Sequence, residues 1–270
     1  AIFLTSERLS EGSKAGTLLR PDHRLGDYTQ RVLGRLRDRG VELMLASGRH
    51  FQDIRALARQ LGGHGCLISS NGAAVHDRLG QPMQLTAIEA ACAEFLIRDG
   101  LFASVHVNVY RAEDWLVGRP EPRLLAYHQD SGFAYRVTDL AALRPEGVLK
   151  VFYYGEADQL HEIERALLDR VGDRVSTTFS LPVTLEVMAR GVSKGAALAR
   201  VIEPLGIGLA EVLAFGDGMN DRELLESAGK GVLMANADPR LHAALPHLER
   251  IGTNGDESVA RFLEAAFLVD

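Results

Sequence analysis

The chain has 270 residues, 46% hydrophobic and 24% charged, with a formal net charge of −6 and a pI near 5.9. That length holds one large domain or two modest ones, each with its own core, and the balance is that of a globular protein. An acidic net charge argues against a broad nucleic-acid footprint.

No apolar run approaches the roughly 20 residues needed to cross a bilayer, which argues against a membrane protein. The start, AIFLTSERLSEG, lacks the basic flank and long apolar core of a secretory signal. Cys66 and Cys92 lie too far apart for a close-spaced metal or redox motif, and so few cysteines point to the cytoplasm.

In chain order, residues 24–39 form an amphipathic helical pattern, with Leu25, Val32, Leu33 and Leu36 on one side. The run VELMLAS then ends in small polar residues and Gly48, as a buried parallel strand does where it opens into a loop. A helical pattern over 51–61 is followed by CLISSNGAAV, another strand running into Ser-Asn-Gly. From about residue 80 the pattern changes to aromatic and β-branched runs (SVHVNVY, DWLVG, FAYRV, LKVFYYG) with helices near 87–98 and 157–171. After TLEVMARGVSKG the first pattern resumes: helix 194–205, strand VLAFGD, helix 221–228, strand KGVLMANA and a helix from 257. This predicts an α/β fold: a doubly wound, mainly parallel sheet built from residues 1–79 and 189–270, with an α+β module inserted over 80–188.

Four motifs carry chemistry. In AFGDGMNDRELL an apolar strand delivers Asp217 to its carboxyl end, and Asn220 and Asp221 open the next helix; carboxylates so clustered suit a hard cation such as Mg2+. Singly, Asp221 reads equally well as a helix N-cap and Asp217 as a turn residue. In SKGAAL, Lys194 at a helix start could neutralise a phosphoryl group beside N–H groups that hold anions; alone it is an ordinary surface lysine. In LASGR, Ser47, the backbone at Gly48 and the Arg49 fork could bind phosphate oxygens. In SSNGA, Asn71 could hold a substrate group, with Gly72 allowing the turn.

Taken in order, GTLL, ASGR, SNGA, SKG and GDxxND resemble the haloacid-dehalogenase superfamily of phosphatases, and more narrowly its Cof-type members with an α/β cap. The resemblance runs from Gly16 to the end of the chain. It implies a Mg2+-dependent phosphatase of small phosphorylated metabolites; hydroxymethylpyrimidine pyrophosphate, sugar phosphates and pyridoxal phosphate are candidates. The family reaction runs through an aspartyl-phosphate. It further implies Asp217 and Asp221 at the metal, Ser47 and Lys194 on the phosphoryl oxygens, and Arg49, Asn71 and Asn220 orienting the substrate and neighbouring carboxylates.

The family's first motif, D-x-D-G-T, is absent as such. The register set by Gly16 and Thr17 places Ser13 at the nucleophile position and Ala15 at the acid/base position, where only the Ala15 backbone carbonyl could reach a metal. SEGSK is also too polar for a buried central strand. A second register takes AIFL as the strand, with Thr5-Ser6-Glu7 as the altered motif and about eight residues inserted before GTLL. A third reading is that the residues before Gly16 are not the native sequence. These registers leave two functions open, a phosphatase and a non-catalytic phosphometabolite-binding protein on the same scaffold. In the inserted module, Trp115 and His106 are candidates to meet an aromatic leaving group, with packing within the module the stronger expectation for Trp115.

Overall fold

The computed structural model describes residues 1–5, 16–22, 24–62, 65–128 and 131–268. Its elements, in chain order, begin with β1 (Ile2–Thr5), α1 (Asp27–Asp38), β2 (Leu43–Ala46), α2 (Phe51–Gln60), β3 (Leu67–Ser69), β4 (Ala74–His76) and β5 (Pro82–Leu85). Next come α3 (Ala90–Arg98), β6 (His106–Tyr110), β7 (Trp115–Val117), α4 (Pro122–Leu125), β8 (Arg136–Val137), β9 (Lys150–Tyr154), α5 (Ala157–Val171), β10 (Val175–Leu181) and β11 (Thr184–Ala189). The chain closes with α6 (Lys194–Ile202), β12 (Leu213–Gly216), α7 (Arg222–Ser227), β13 (Lys230–Met234), α8 (Pro239–Ala244), β14 (Glu249–Ile251) and α9 (Ser258–Phe267).

Among the described residues the first sheet runs β14-β13-β12-β1-β2-β3-β4-β5. It is parallel from β14 through β3, with β4 and β5 added antiparallel. IFLT, LMLA and LAFG are buried along their whole length, because a parallel sheet with helices on both faces leaves no solvent side. The α1 helix buries Val32, Leu33 and Leu36 and packs against α9, while α6 packs against α7.

The second sheet runs β10-β11-β9-β6-β7-β8 and is antiparallel except for β7–β8. The core under α3 and α5 joins Leu96, Ile163, Leu167 and Val151, and the Tyr153 hydroxyl donates to the Leu96 carbonyl at 2.7 Å. The fold is therefore α/β with a mainly parallel sheet and an inserted α+β module, as the element pattern implied.

Of the strand registers left open by the sequence, the structure takes the second: Ile2–Thr5, not SEGSK, fills the central place, paired in parallel with β2 and β12. Only an apolar segment can occupy the middle of a sheet covered on both faces. Pro82–Leu85, read as part of the inserted module, is the edge strand of the first sheet. The Asp77 carboxylate accepts the N–H groups of Leu79 and Gln81, both at 2.8 Å, and so folds β4 tightly back into β5. The chain thus leaves the first sheet after Leu85.

Candidate active site

The strand order reverses between β1 and β12, and the carboxyl ends of these strands face a common crevice, the usual ligand position in an open α/β sheet. Asp217, directly after β12, is buried there. Its Oδ2 accepts the Gly16 N–H at 2.8 Å, and its Oδ1 accepts a short hydrogen bond from the Thr17 hydroxyl. Thr5, the last residue of β1, donates its hydroxyl to Thr17 Oγ1 at 2.8 Å. Ser13 and Ala15 lie outside the described residues.

Asp221 sits behind Asp217. Its Oδ2 accepts the N–H groups of Asp217 (2.9 Å) and Gly218 (3.0 Å), and its Oδ1 accepts Lys194 Nζ at 2.7 Å. Lys194 and Asp221 are both fully buried. The approach is possible because residue 216 is glycine: a Cβ there would lie 2.7 Å from that of Asp221. Lys194 is fixed at the start of α6, where Ser193 caps the helix by accepting the Ala196 N–H at 3.0 Å.

The other two loops interlock. The Ser47 hydroxyl accepts the Arg49 N–H at 3.1 Å, the Ser47 carbonyl accepts the Asn71 N–H at 3.0 Å, and the Arg49 carbonyl accepts the Ser70 N–H at 2.8 Å. Asn71, left-handed at φ 56°, bridges two elements: its Oδ1 accepts Asn220 Nδ2 at 3.1 Å, and its Nδ2 donates to Glu186 Oε2 at 2.6 Å.

Glu186 on β11 and Lys150 on β9, both buried, form an ion pair at 2.5 Å, and Lys150 also donates to the Gly48 carbonyl at 2.6 Å. The inserted module thus reaches both loops. Sequence reading missed this pair, although a lone charge within each apolar strand, LKVFYY and TLEVMA, was the available clue. It also missed the parts of Thr17, Asp53 and His128, while Thr5 stands where the second register put the first motif.

Beside Gly48 a small cavity of about 70 Å³ lies between the module and the first sheet, with Arg49, Tyr110, Trp115, His128, Lys150 and Phe152 among its lining. Arg49 Nη1 pairs with Asp53 Oδ2 at 2.9 Å, and the same oxygen bonds His128 Nδ1 at 2.9 Å. Burial works against the Asp53 charge, but Arg49 and the His128 hydrogen bond outweigh it and hold the carboxyl well below the usual carboxylate range. Trp115 packs in the aromatic cluster of the module, donates to Asn108 Oδ1 at 3.0 Å, and presents one side to the cavity. His106 bonds the Arg119 carbonyl at 2.8 Å and is not among the cavity's lining residues.

The donor set fits a magnesium ion through one arm. Mg2+ takes one or two protein carboxylates, its remaining positions going to water and substrate phosphate. Asp217, at the strand end, can supply one carboxylate. Both oxygens of Asp217 accept hydrogen bonds from Gly16 and Thr17, and both of Asp221 accept them from Lys194 and the Asp217–Gly218 backbone, so either carboxylate would have to share or exchange a partner with a metal.

The sequence model of the haloacid dehalogenase-like hydrolases matches residues 15–263. An HMP-PP phosphatase of Enterobacter sp. (strain 638) is 40% identical over 256 residues, covering 95% of this chain and 94% of that protein. Among solved structures, a haloacid dehalogenase-like hydrolase from Bacteroides thetaiotaomicron is 25% identical with a TM-score of 0.79, covering 98% of both chains. One from B. subtilis, at 22% identity, has the same fold, with a TM-score of 0.83 over 97% of this chain and 98% of that one. Sequence and fold agree along almost the whole length, and the chain belongs to the haloacid dehalogenase-like hydrolase family.

Proposed function

We propose that the protein is a Mg2+-dependent phosphatase of small phosphorylated metabolites, hydroxymethylpyrimidine pyrophosphate foremost among them. The observation that carries this reading is the meeting of Asp217, the buried Lys194–Asp221 pair and the Ser47–Arg49 loop at the carboxyl ends of adjacent strands. The 40% identity to an HMP-PP phosphatase supports the substrate. Bound at Asp217, Mg2+ would supply positive charge against the phosphoryl oxygens.

The chain's own residues do the rest. Ser47 and the backbone N–H groups of its loop donate to the phosphoryl oxygens. Lys194, held in place by Asp221, adds a fixed charge where the transition state spreads its own. Asn71 and Asn220 hold the loops in register, and the module covers the site and excludes water. Cys66 and Cys92, both free and buried, support a reducing compartment such as the cytoplasm.

A second reading rests on Thr5. β1 ends in a hydroxyl rather than a carboxylate, so the same pocket would bind phosphometabolites without turning them over. Phosphate release from an aryl phosphate, using protein of verified intact mass, separates the two. The phosphatase reading expects Mg2+-dependent release, lost with Asp217→Asn and lowered roughly 100-fold or more in kcat/KM by Ser47→Ala. No release from mass-verified protein that still binds phosphate leaves the binding reading standing.

A further inference from the structure

The edge of a sheet leaves backbone N–H and C=O groups open, and proteins keep such edges from pairing with charges, bulges, short strands or a cover. Among the described residues, three of the four edges are guarded in this way. β14 carries Glu249 and Arg250, and Glu249 pairs with Lys230 at 2.8 Å. β8 is two residues long, and its exposed Arg136 pairs with Asp114 at 3.3 Å. β10 is bulged between Phe179 and Leu181 and packs against the turn at 219–221.

β5 has only Pro82, at its start, as a guard. Residues 79–88, LGQPMQLTAI, contain no charge in a chain whose net charge is −6. Met83 is 44% exposed, Leu85 43%, and Leu79, in the turn before the strand, 79%. The ladder fixes which backbone groups point outward. Thr86 donates its N–H to the Ala73 carbonyl at 2.7 Å, and Gln84 lies opposite Val75. Alternation along an antiparallel pair then turns the backbone groups of Gln84 and Thr86 toward β4, and those of Met83 and Leu85 away from it. The Met83 and Leu85 side chains share one face of the sheet. Gln84 shares the other with Thr86, to which it donates at 2.6 Å.

We propose that β5 is a self-association edge, pairing antiparallel with β5 of a second copy of this chain about a two-fold axis at Gln84. In that register Met83 of each copy lies opposite Leu85 of the other. Each such pair exchanges two backbone hydrogen bonds and sets two exposed apolar side chains against each other. A second copy fits this edge because one strand supplies both halves of a two-fold seam, and no like charges meet along it. With β2, β3 and β4 between β5 and β1, the crevice at β1 and β12 stays open, and the inference is independent of the phosphatase reading. So short a seam makes a weak, concentration-dependent dimer.

Sedimentation velocity of the full chain, from about 1 µM to about 300 µM, covers the range of such an interface. The mean mass should rise with concentration from the 29.4 kDa of one chain toward twice that value. Met83→Lys with Leu85→Lys sets like charges opposite each other and should weaken self-association about tenfold or more. Met83→Lys with Leu85→Glu adds as many charged groups but sets unlike charges opposite each other. It should associate about tenfold or more tightly than the double-lysine variant. Both positions are exposed, and circular dichroism should show both variants folded.

The mass of one chain at every concentration overturns the proposal, without need of any variant. Undiminished association of the double-lysine variant puts the contact elsewhere and overturns it too. So does equal association of the two charge variants, because only the pairing of 83 with 85 tells them apart.

Discussion

At Gly72 the backbone runs at φ +98°, and a Cβ would lie 2.3 Å from the Ser193 carbonyl oxygen, in the residue that caps α6. Both the torsion and the contact exclude a side chain. Gly72→Ala should therefore destabilise the protein by about 1–3 kcal/mol and, by pushing on Ser193, displace Lys194. Chemical denaturation measures the first effect, and the affinity for inorganic phosphate the second. The turn itself was legible from Ser-Asn-Gly. The partners of Asn71 were not, because Asn220 and Glu186 lie far away in sequence and meet it only through folding.

The α2 helix shows how an element can tie a site to pH. His50 caps it: Nδ1 accepts the Gln52 N–H at 3.2 Å, and Nε2 donates to the Arg111 carbonyl of the inserted module at 2.8 Å. Burial lowers its pKa to about 4 from the usual 6.5, since a charged imidazole there would lose its hydration. Between these values the unfolded chain binds more protons than the folded one. The His50 contribution is therefore complete above about pH 6.5 and is lost as pH falls toward about 4. His50→Asn, which keeps a capping oxygen but does not titrate, should flatten the decline of Tm with falling pH across that interval. An unchanged slope would assign the decline to other groups. Periodicity alone gave the helix; the proton-free cap depends on an Arg111 carbonyl that the local sequence does not contain.

At the scale of the molecule, a buried charge pair within the second sheet reaches across to loops of the first. Lys150 pairs with Glu186 and reaches Gly48, while Glu186 reaches Asn71, so the module holds both phosphate-side loops at once. Removing one partner strands the other charge in a dry interface. Glu186→Gln should cost about 3–5 kcal/mol, and adding Lys150→Met should recover much of that loss. Urea denaturation of the single and double variants gives the coupling directly. If the losses simply add, the two charges do not act as a pair.

The sequence by itself determined the class of the fold, the order of the motifs and the identity of Asp217, Asp221 and Lys194 as neighbours in a site. Those features rest on local physics: continuous apolar runs make covered parallel strands, and each ends in the small and polar residues that open a loop. Only the tertiary structure decided that Ile2–Thr5 fills the central strand, that Asp221 braces Lys194, and that Arg49, Asp53 and His128 form one group across two sheets. Those outcomes depend on which distant residues share a low-dielectric interface. A buried charge takes whatever partner the fold brings within hydrogen-bond reach, and spacing along the chain does not encode that choice.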